Sequence, residues 1–178
     1  MREYFMKTGL SILFILIGIS SAFADSGYRL GAGDKISVVV YNEKDMSLPS
    51  LRVPKQGKIT FPYIGEIKVS GLTTRQLKKV LVKRLKDGYL RQPELNINIE
   101  EYRPFYVNGE VNSPGGYPYV EGLTIRKAIA LAGGLTERAS LKKIGLVSEG
   151  KKRSKRINKS LDEIVNPGDI LTIGEALF

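Results

Sequence analysis

The 178-residue chain contains no cysteine and no histidine. Without cysteine it can form no disulfide, no thiolate metal site and no thiol nucleophile, and it offers no cysteine for lipidation. Without histidine it lacks the side chain that ordinarily moves protons near neutral pH. Acidic residues are outnumbered, 18 against 28 basic ones. Beyond residue 24 there is no run of the roughly 20 apolar residues that a membrane helix needs. What remains has the composition of an ordinary globular protein, neither disordered nor coiled coil.

Arg2 and Lys7 precede an apolar run over 10–19, and Ala22-Phe-Ala24 supplies small residues two apart. This pattern predicts a signal peptide over 1–24, cut between Ala24 and Asp25. The apolar core is short for a membrane span, and an uncleaved anchor is the other reading. The 154 residues from Asp25 carry 26 basic and 17 acidic side chains, a net of +9. Two segments hold most of this excess: 142–159 sets eight basic residues against Glu149, and 75–91 sets seven against Asp87. Basic patches commonly mark nucleic-acid binding, but a secreted chain would not meet nucleic acid, and no such partner is expected. Lys151, Lys152, Arg153, Lys155 and Arg156 are instead candidates to touch an acidic polymer or partner surface. A solvated hairpin tip is the competing reading.

Tyr28-Arg-Leu-Gly-Ala-Gly-Asp34 has turn chemistry and opens onto a β-branched run at 35–41. Gly-Asp followed by a strand recurs at Pro167-Gly-Asp169, which predicts one turn-to-strand device used twice. Residues 51–69 read as short strands punctuated by Pro54, Gly57, Pro62 and Gly65. Thr73 and Gln76 form a capping box, flanked by Leu72 and Leu77 as a hydrophobic staple. Leu77, Val80, Leu81 and Leu85 then make an apolar helical stripe that Gly88 ends. Residues 93–100 alternate, which points Leu95, Ile97 and Ile99 into a core and places Glu100 and Glu101 on opposite faces. Two carboxylates so placed are poorly arranged to flank one glycosidic bond.

The most informative stretch is Val107-Asn-Gly-Glu-Val-Asn-Ser-Pro-Gly115, followed by Leu123-Thr-Ile-Arg-Lys-Ala-Ile-Ala-Leu-Ala-Gly-Gly134. The first part reads as a strand over 105–111 that turns at Pro114-Gly115; the second reads as a helix over 124–132, capped by Thr124 and ended by two glycines. Gly133-Gly134 lacks the Lys-Ser/Thr of a phosphate loop. Strands near 144–147 and 170–173 complete the pattern. Tyr102, Phe105, Tyr106, Tyr117 and Tyr119 gather near 104, where rings could fill a core, bury a protomer contact or stack on sugars. Gly109, Pro114, Gly115, Tyr106 and Tyr117 are the candidate turn and interface motif. The reading is an α+β chain of two small domains over 25–103 and 104–178. No catalytic residue, metal ligand or cofactor is assigned.

The same residues carry a resemblance. Tyr28 to Asp34, and Val53-Pro-Lys-Gln-Gly-Lys-Ile-Thr-Phe-Pro-Tyr-Ile-Gly-Glu-Ile-Lys-Val-Ser-Gly-Leu-Thr73, are similar to the polysaccharide export domain of the Wza-type outer-membrane polysaccharide export family. The segment from Val107 to Gly134 resembles the start of its SLBB domain, a soluble-ligand-binding β-grasp. The resemblance implies a periplasmic protein, peripherally associated with the outer membrane, that helps export capsular or exopolysaccharide. It implies a homo-oligomeric ring, with the exported polysaccharide and an inner-membrane polysaccharide copolymerase as partners. Five residues follow Ile173, about 7.5 Å if helical against a hydrocarbon core of roughly 30 Å. A short form without the C-terminal membrane helix is therefore expected, working with a separate outer-membrane β-barrel pore. A soluble periplasmic saccharide-binding module and a polysaccharide-modifying enzyme are the alternative functions.

Overall fold

The computed structural model describes residues 27–148 and 160–176. Ala24, Asp25 and the basic residues Lys151, Lys152, Arg153, Lys155 and Arg156 lie outside the described residues. The architecture is mixed α+β, built around two separate hydrophobic clusters.

The first cluster takes its residues from 30–97. Strand β1 (Lys35–Val40) is flanked by β2 (Leu48–Arg52) and β5 (Leu95–Glu101), both antiparallel to it, while β3 (Lys58–Phe61) and β4 (Gly65–Lys68) form a separate hairpin. Helix α1 (Thr74–Lys86) closes the core with Leu77, Leu81 and Leu85, all fully buried. Its predicted capping box is present: the Thr73 hydroxyl accepts from the Gln76 amide and the Gln76 side chain accepts from the Thr73 amide. The four-residue spacing of these leucines puts them on one face, so burial of that face rather than isolated helix propensity holds the element.

Alternation predicts inward Leu95, Ile97 and Ile99; the first two are buried and Ile99 packs half-buried against the same core, but the pattern fails at Glu100 and Glu101. The register between β1 and β5 shifts between Lys35 and Ile36, so Lys35 opposes Glu101 while Ile36 opposes Ile99. The extra residue lets the Lys35 ammonium reach both Glu100, at 3.6 Å, and Glu101, at 3.2 Å. The two carboxylates therefore do not point to opposite faces, because a β-bulge resets the side-chain direction. Both are engaged, with Arg52 also on Glu101 and Ser50 on Glu100. Hydrogen bonds from Arg52 and Lys35 hold the Glu101 carboxyl below its ordinary range.

The second cluster draws on 105–173. Its sheet runs β7 (Gly115–Tyr117), β6 (Phe105–Gly109), β9 (Ile170–Glu175), β8 (Ala139–Val147), with helix α2 (Ile125–Leu131) burying Ile125, Ala128 and Ile129 against it. β6 and β9, the first and last strands, lie parallel at the centre, and antiparallel partners flank them, as expected of a β-grasp. Thr124 caps α2 by accepting from the Lys127 amide.

Two boundaries differ from expectation. β6 stops at Gly109 and not at Pro114-Gly115, and Gly115 already opens β7. Gly109 has φ +88°, and a Cβ there would overlap the Ile173 carbonyl of β9, so the parallel pairing ends at a position only glycine suits. β8 begins at Ala139, five residues before the apolar signal at 144. Its early part is an irregular edge carrying Lys142 and Lys143, which hides a strand from a search for alternating apolar residues.

Candidate functional site: the junction of the two cores

Between the clusters, residues 101–104 carry the chain across, and polar and aromatic contacts from both sides gather there. They start from the turn Gly31-Ala-Gly-Asp34. Gly33 takes φ +96°, the Asp34 amide donates to the Gly31 carbonyl, and the Asp34 carboxylate accepts from the Gly31 amide at 2.7 Å. The turn leaves Asp34 completely buried with unused acceptor capacity.

That capacity is filled from both sides. The Tyr28 hydroxyl donates to the carboxylate at 2.6 Å, the Arg103 amide at 2.8 Å and the Arg103 guanidinium at 3.2 Å. The guanidinium also donates to the Tyr28 hydroxyl and stands 5.4 Å from the centre of that ring. A charge this deep is tolerable only when paired and hydrogen-bonded, and here both conditions hold. Burial and the neighbouring Asp34 push the Tyr28 phenol far above its ordinary value, keeping it a donor.

Tyr102, one residue before the arginine, extends the contact toward the second core. Its ring meets Tyr28 edge-on at 4.9 Å and Tyr119 edge-on at 5.2 Å, and its hydroxyl donates to Glu121. Desolvation, then the Glu121 hydrogen bond, raise the Tyr102 phenol to about 12, and desolvation raises Tyr119 as well. Tyr28, Tyr102, Tyr119, Glu121 and Asn166 line an open groove of about 460 Å³ between the cores. A second cleft, of about 370 Å³, is lined by Gly33, Arg103, Pro104, Tyr106 and Ile170.

This arrangement can bind and brace. Ring faces, phenols and one carboxylate suit a hydroxyl-rich ligand. Among the described residues no group of three or more acidic side chains is placed to hold a metal ion.

The five residues of the predicted turn and interface motif part company here. Tyr106 is 45% exposed on the outer face of β6, beside Ile170, its partner in register on β9. Tyr117 packs on Phe105 at 5.8 Å between ring centres, against the second core, and its hydroxyl donates to the Ser113 carbonyl. Gly109 serves the backbone, while Pro114 and Gly115 lead into β7. Sequence reasoning did not single out Asp34 and Arg103 as a pair. They are 69 residues apart, and only the recurrent Gly-Asp turn hinted at the first of them.

Residues 23–100 match a family model described as polysaccharide biosynthesis/export protein, and residues 104–156 match the SLBB domain. The exopolysaccharide production protein ExoF of Rhizobium meliloti is 37% identical over 146 residues, covering 76% of this chain and 34% of that protein. The EPS I polysaccharide export outer membrane protein EpsA of Ralstonia nicotianae is 26% identical, over 83% of this chain and 45% of its own length. The polysialic acid transport protein KpsD of Escherichia coli is 29% identical, over 76% of this chain and 26% of its own length. The chain thus spans between about a quarter and under half of these curated relatives.

Proposed function

The chain belongs to the polysaccharide export family, and from that premise we propose that it is a periplasmic component of a capsular or exopolysaccharide export conduit, peripherally associated with the outer membrane. The family model is described as polysaccharide biosynthesis/export and the relatives are named for export and transport, so the chain is read as an export component and not as an enzyme. In the proposed assembly, copies of the chain close into a ring through a head-to-tail interface. A separate outer-membrane β-barrel pore takes the polymer onward, and an inner-membrane polysaccharide copolymerase delivers it. The domain limits proposed are 25–103 and 104–178, following a signal peptide over 1–24.

One observation carries this reading: the two matched segments fall in order on the two hydrophobic cores. The braced junction supports it further, since a ring needs each protomer to present two lobes in fixed relation. The exposed Tyr106 and Ile170 offer an apolar patch on the second sheet for such a contact, and Lys151, Lys152, Arg153, Lys155 and Arg156 are proposed to meet the polymer or a partner. Deleting the gene should remove polymer from the cell surface and leave it inside the envelope, read by fractionating cells and assaying each fraction for polysaccharide. Undiminished surface polymer in the deletion strain would refute the proposal.

A further inference from the structure

The outer face of α1 carries a charge that the fold does not use. Arg75, Lys78, Lys79, Lys83 and Lys86 are all exposed, and among the described residues none of them makes an ion pair. They surround the half-buried Val82, and their aliphatic stems floor a shallow depression with it. Lys83 and Lys86 sit in the last turn, where the helix dipole favours cations. Arg84, beside them, is spent on the fold, donating to the Glu66 carbonyl at 2.9 Å. No such account covers the other three. Arg75 stands in the first turn, where the dipole disfavours a cation, and no acidic residue offsets it there. Arg75 with Lys79, and Lys79 with Lys83, are like charges four apart, an arrangement that weakens a helix.

A second oddity lies at the other end of the helix. Tyr63, in the turn between β3 and β4, is 61% exposed and adopts φ +65°, a left-handed conformation unusual for a bulky residue. Its ring meets that of the exposed Tyr89, just past α1, at 6.2 Å between centres. The adjoining Ile64 carbonyl accepts from Arg84. Exposed rings on a strained turn contribute nothing to the core, and strain of this kind collects where a surface is used.

We propose that the outer face of α1, with the Tyr63–Tyr89 pair, is a binding surface for an acidic polysaccharide, one whose sugars bear carboxylates. From Arg75 to Lys86 the cations extend about 16 Å along the helix axis. A row of that length along a shallow, open depression suits an extended chain passing over it better than a small ligand held in a closed pocket. Lysine, as a compact point charge, tolerates varied carboxylate geometry, whereas a bidentate clamp would call for arginine. The tyrosine rings add flat apolar faces for sugar C–H groups, where a phosphate surface would have no use for them. A lipid membrane fits less well, because the apolar stripe of α1, Leu77, Leu81 and Leu85, is buried in the core and its outer face offers only the half-buried Val82 to insert. The proposal rests on the export reading and names the class of polymer that passes.

The test uses the purified chain, with polygalacturonate as the acidic probe, dextran as the neutral one, and phosphatidylglycerol vesicles as the lipid surface. Binding to polygalacturonate alone, weakened by salt because exposed charges are screened, is expected. The variant carrying Arg75→Gln, Lys78→Gln, Lys79→Gln and Lys83→Gln should bind about tenfold more weakly and less salt-sensitively, with its helical circular dichroism intact, since glutamine is a good helix former. Tyr63→Asn, which keeps a residue suited to the left-handed turn, should weaken binding a few-fold without altering the salt dependence. Equal affinity of the fourfold variant, stronger binding to vesicles than to polygalacturonate, or equal binding to dextran would each overturn the proposal. If gene deletion abolishes export while the fourfold variant both restores it fully and binds like wild type, this inference fails and the export function stands. If deletion leaves export untouched, the function itself fails.

Discussion

At Gly31-Ala-Gly-Asp34 and at Asn166-Pro-Gly-Asp169 the chain makes the same turn twice. In each, the aspartate amide donates to the carbonyl three residues back, and the carboxylate accepts from the amide of that same residue, at 2.7 Å and 2.9 Å. Each has a glycine before the aspartate with φ +96° or +84°, each buries the aspartate to 1% exposure or less, and each launches an interior strand of its sheet, β1 or β9. What surrounds them differs. Among the described residues, the Asp169 carboxylate adds only the Asn166 side-chain amide at 3.5 Å. Asp34 adds Tyr28, the Arg103 amide and the Arg103 guanidinium, and so ties the opening of the first lobe to the residue that leads into the second. A turn fixes one strand; the same turn with a buried arginine beside it fixes two lobes.

Breaking the first turn should therefore cost most. Asp34→Ala removes the carboxylate that pairs with the Arg103 guanidinium and accepts from Tyr28 and two backbone amides; breaking a buried pair of this kind typically costs about 3–5 kcal/mol, measured by urea denaturation. Gly109→Ala should follow, at roughly 1–3 kcal/mol for a non-glycine residue forced into this backbone region, and more if the Ile173 carbonyl cannot move away. Its damage should stay in the second lobe, leaving amide hydrogen exchange of β1 and β5 unchanged. Asp169→Ala strands only local donors and should cost about 1–3 kcal/mol, less than Asp34→Ala. The smallest effect concerns pH. Tyr102 has its phenol raised from 10 to about 12, so its contribution is complete below pH 10 and is lost as pH rises toward 12. Tyr102→Phe should flatten that alkaline loss, and tyrosinate absorbance should show one fewer late-titrating ring.

How far the sequence foretold this contrast depends on the range of the interactions. The capping box at Thr73 and Gln76 and the Leu77, Leu81, Leu85 stripe act within four residues and are found as read. The double use of Gly-Asp was visible for the same reason. Glu100 and Glu101 were misplaced because a bulge opposite Lys35 is set by pairing with a strand some 60 residues earlier, which no local alternation records. The end of β6 was misjudged because Pro114-Gly115 is the louder local signal, while the deciding contact is Gly109 against the Ile173 carbonyl. The joining of Asp34 to Arg103 has no local signature at all. Its acid is one of 18 and its base one of 28 until the fold brings them together.

Whether the Asp34 turn makes one body of two lobes is tested most directly by scanning calorimetry of the chain beside its Asp34→Ala and Asp169→Ala variants. The wild type should melt in one cooperative transition whose calorimetric and van't Hoff enthalpies agree. Asp34→Ala should split this into two, one for each core, whereas Asp169→Ala should lower a single transition without dividing it. Two independent transitions already in the wild type, or the same unsplit curve in all three proteins, would contradict the account.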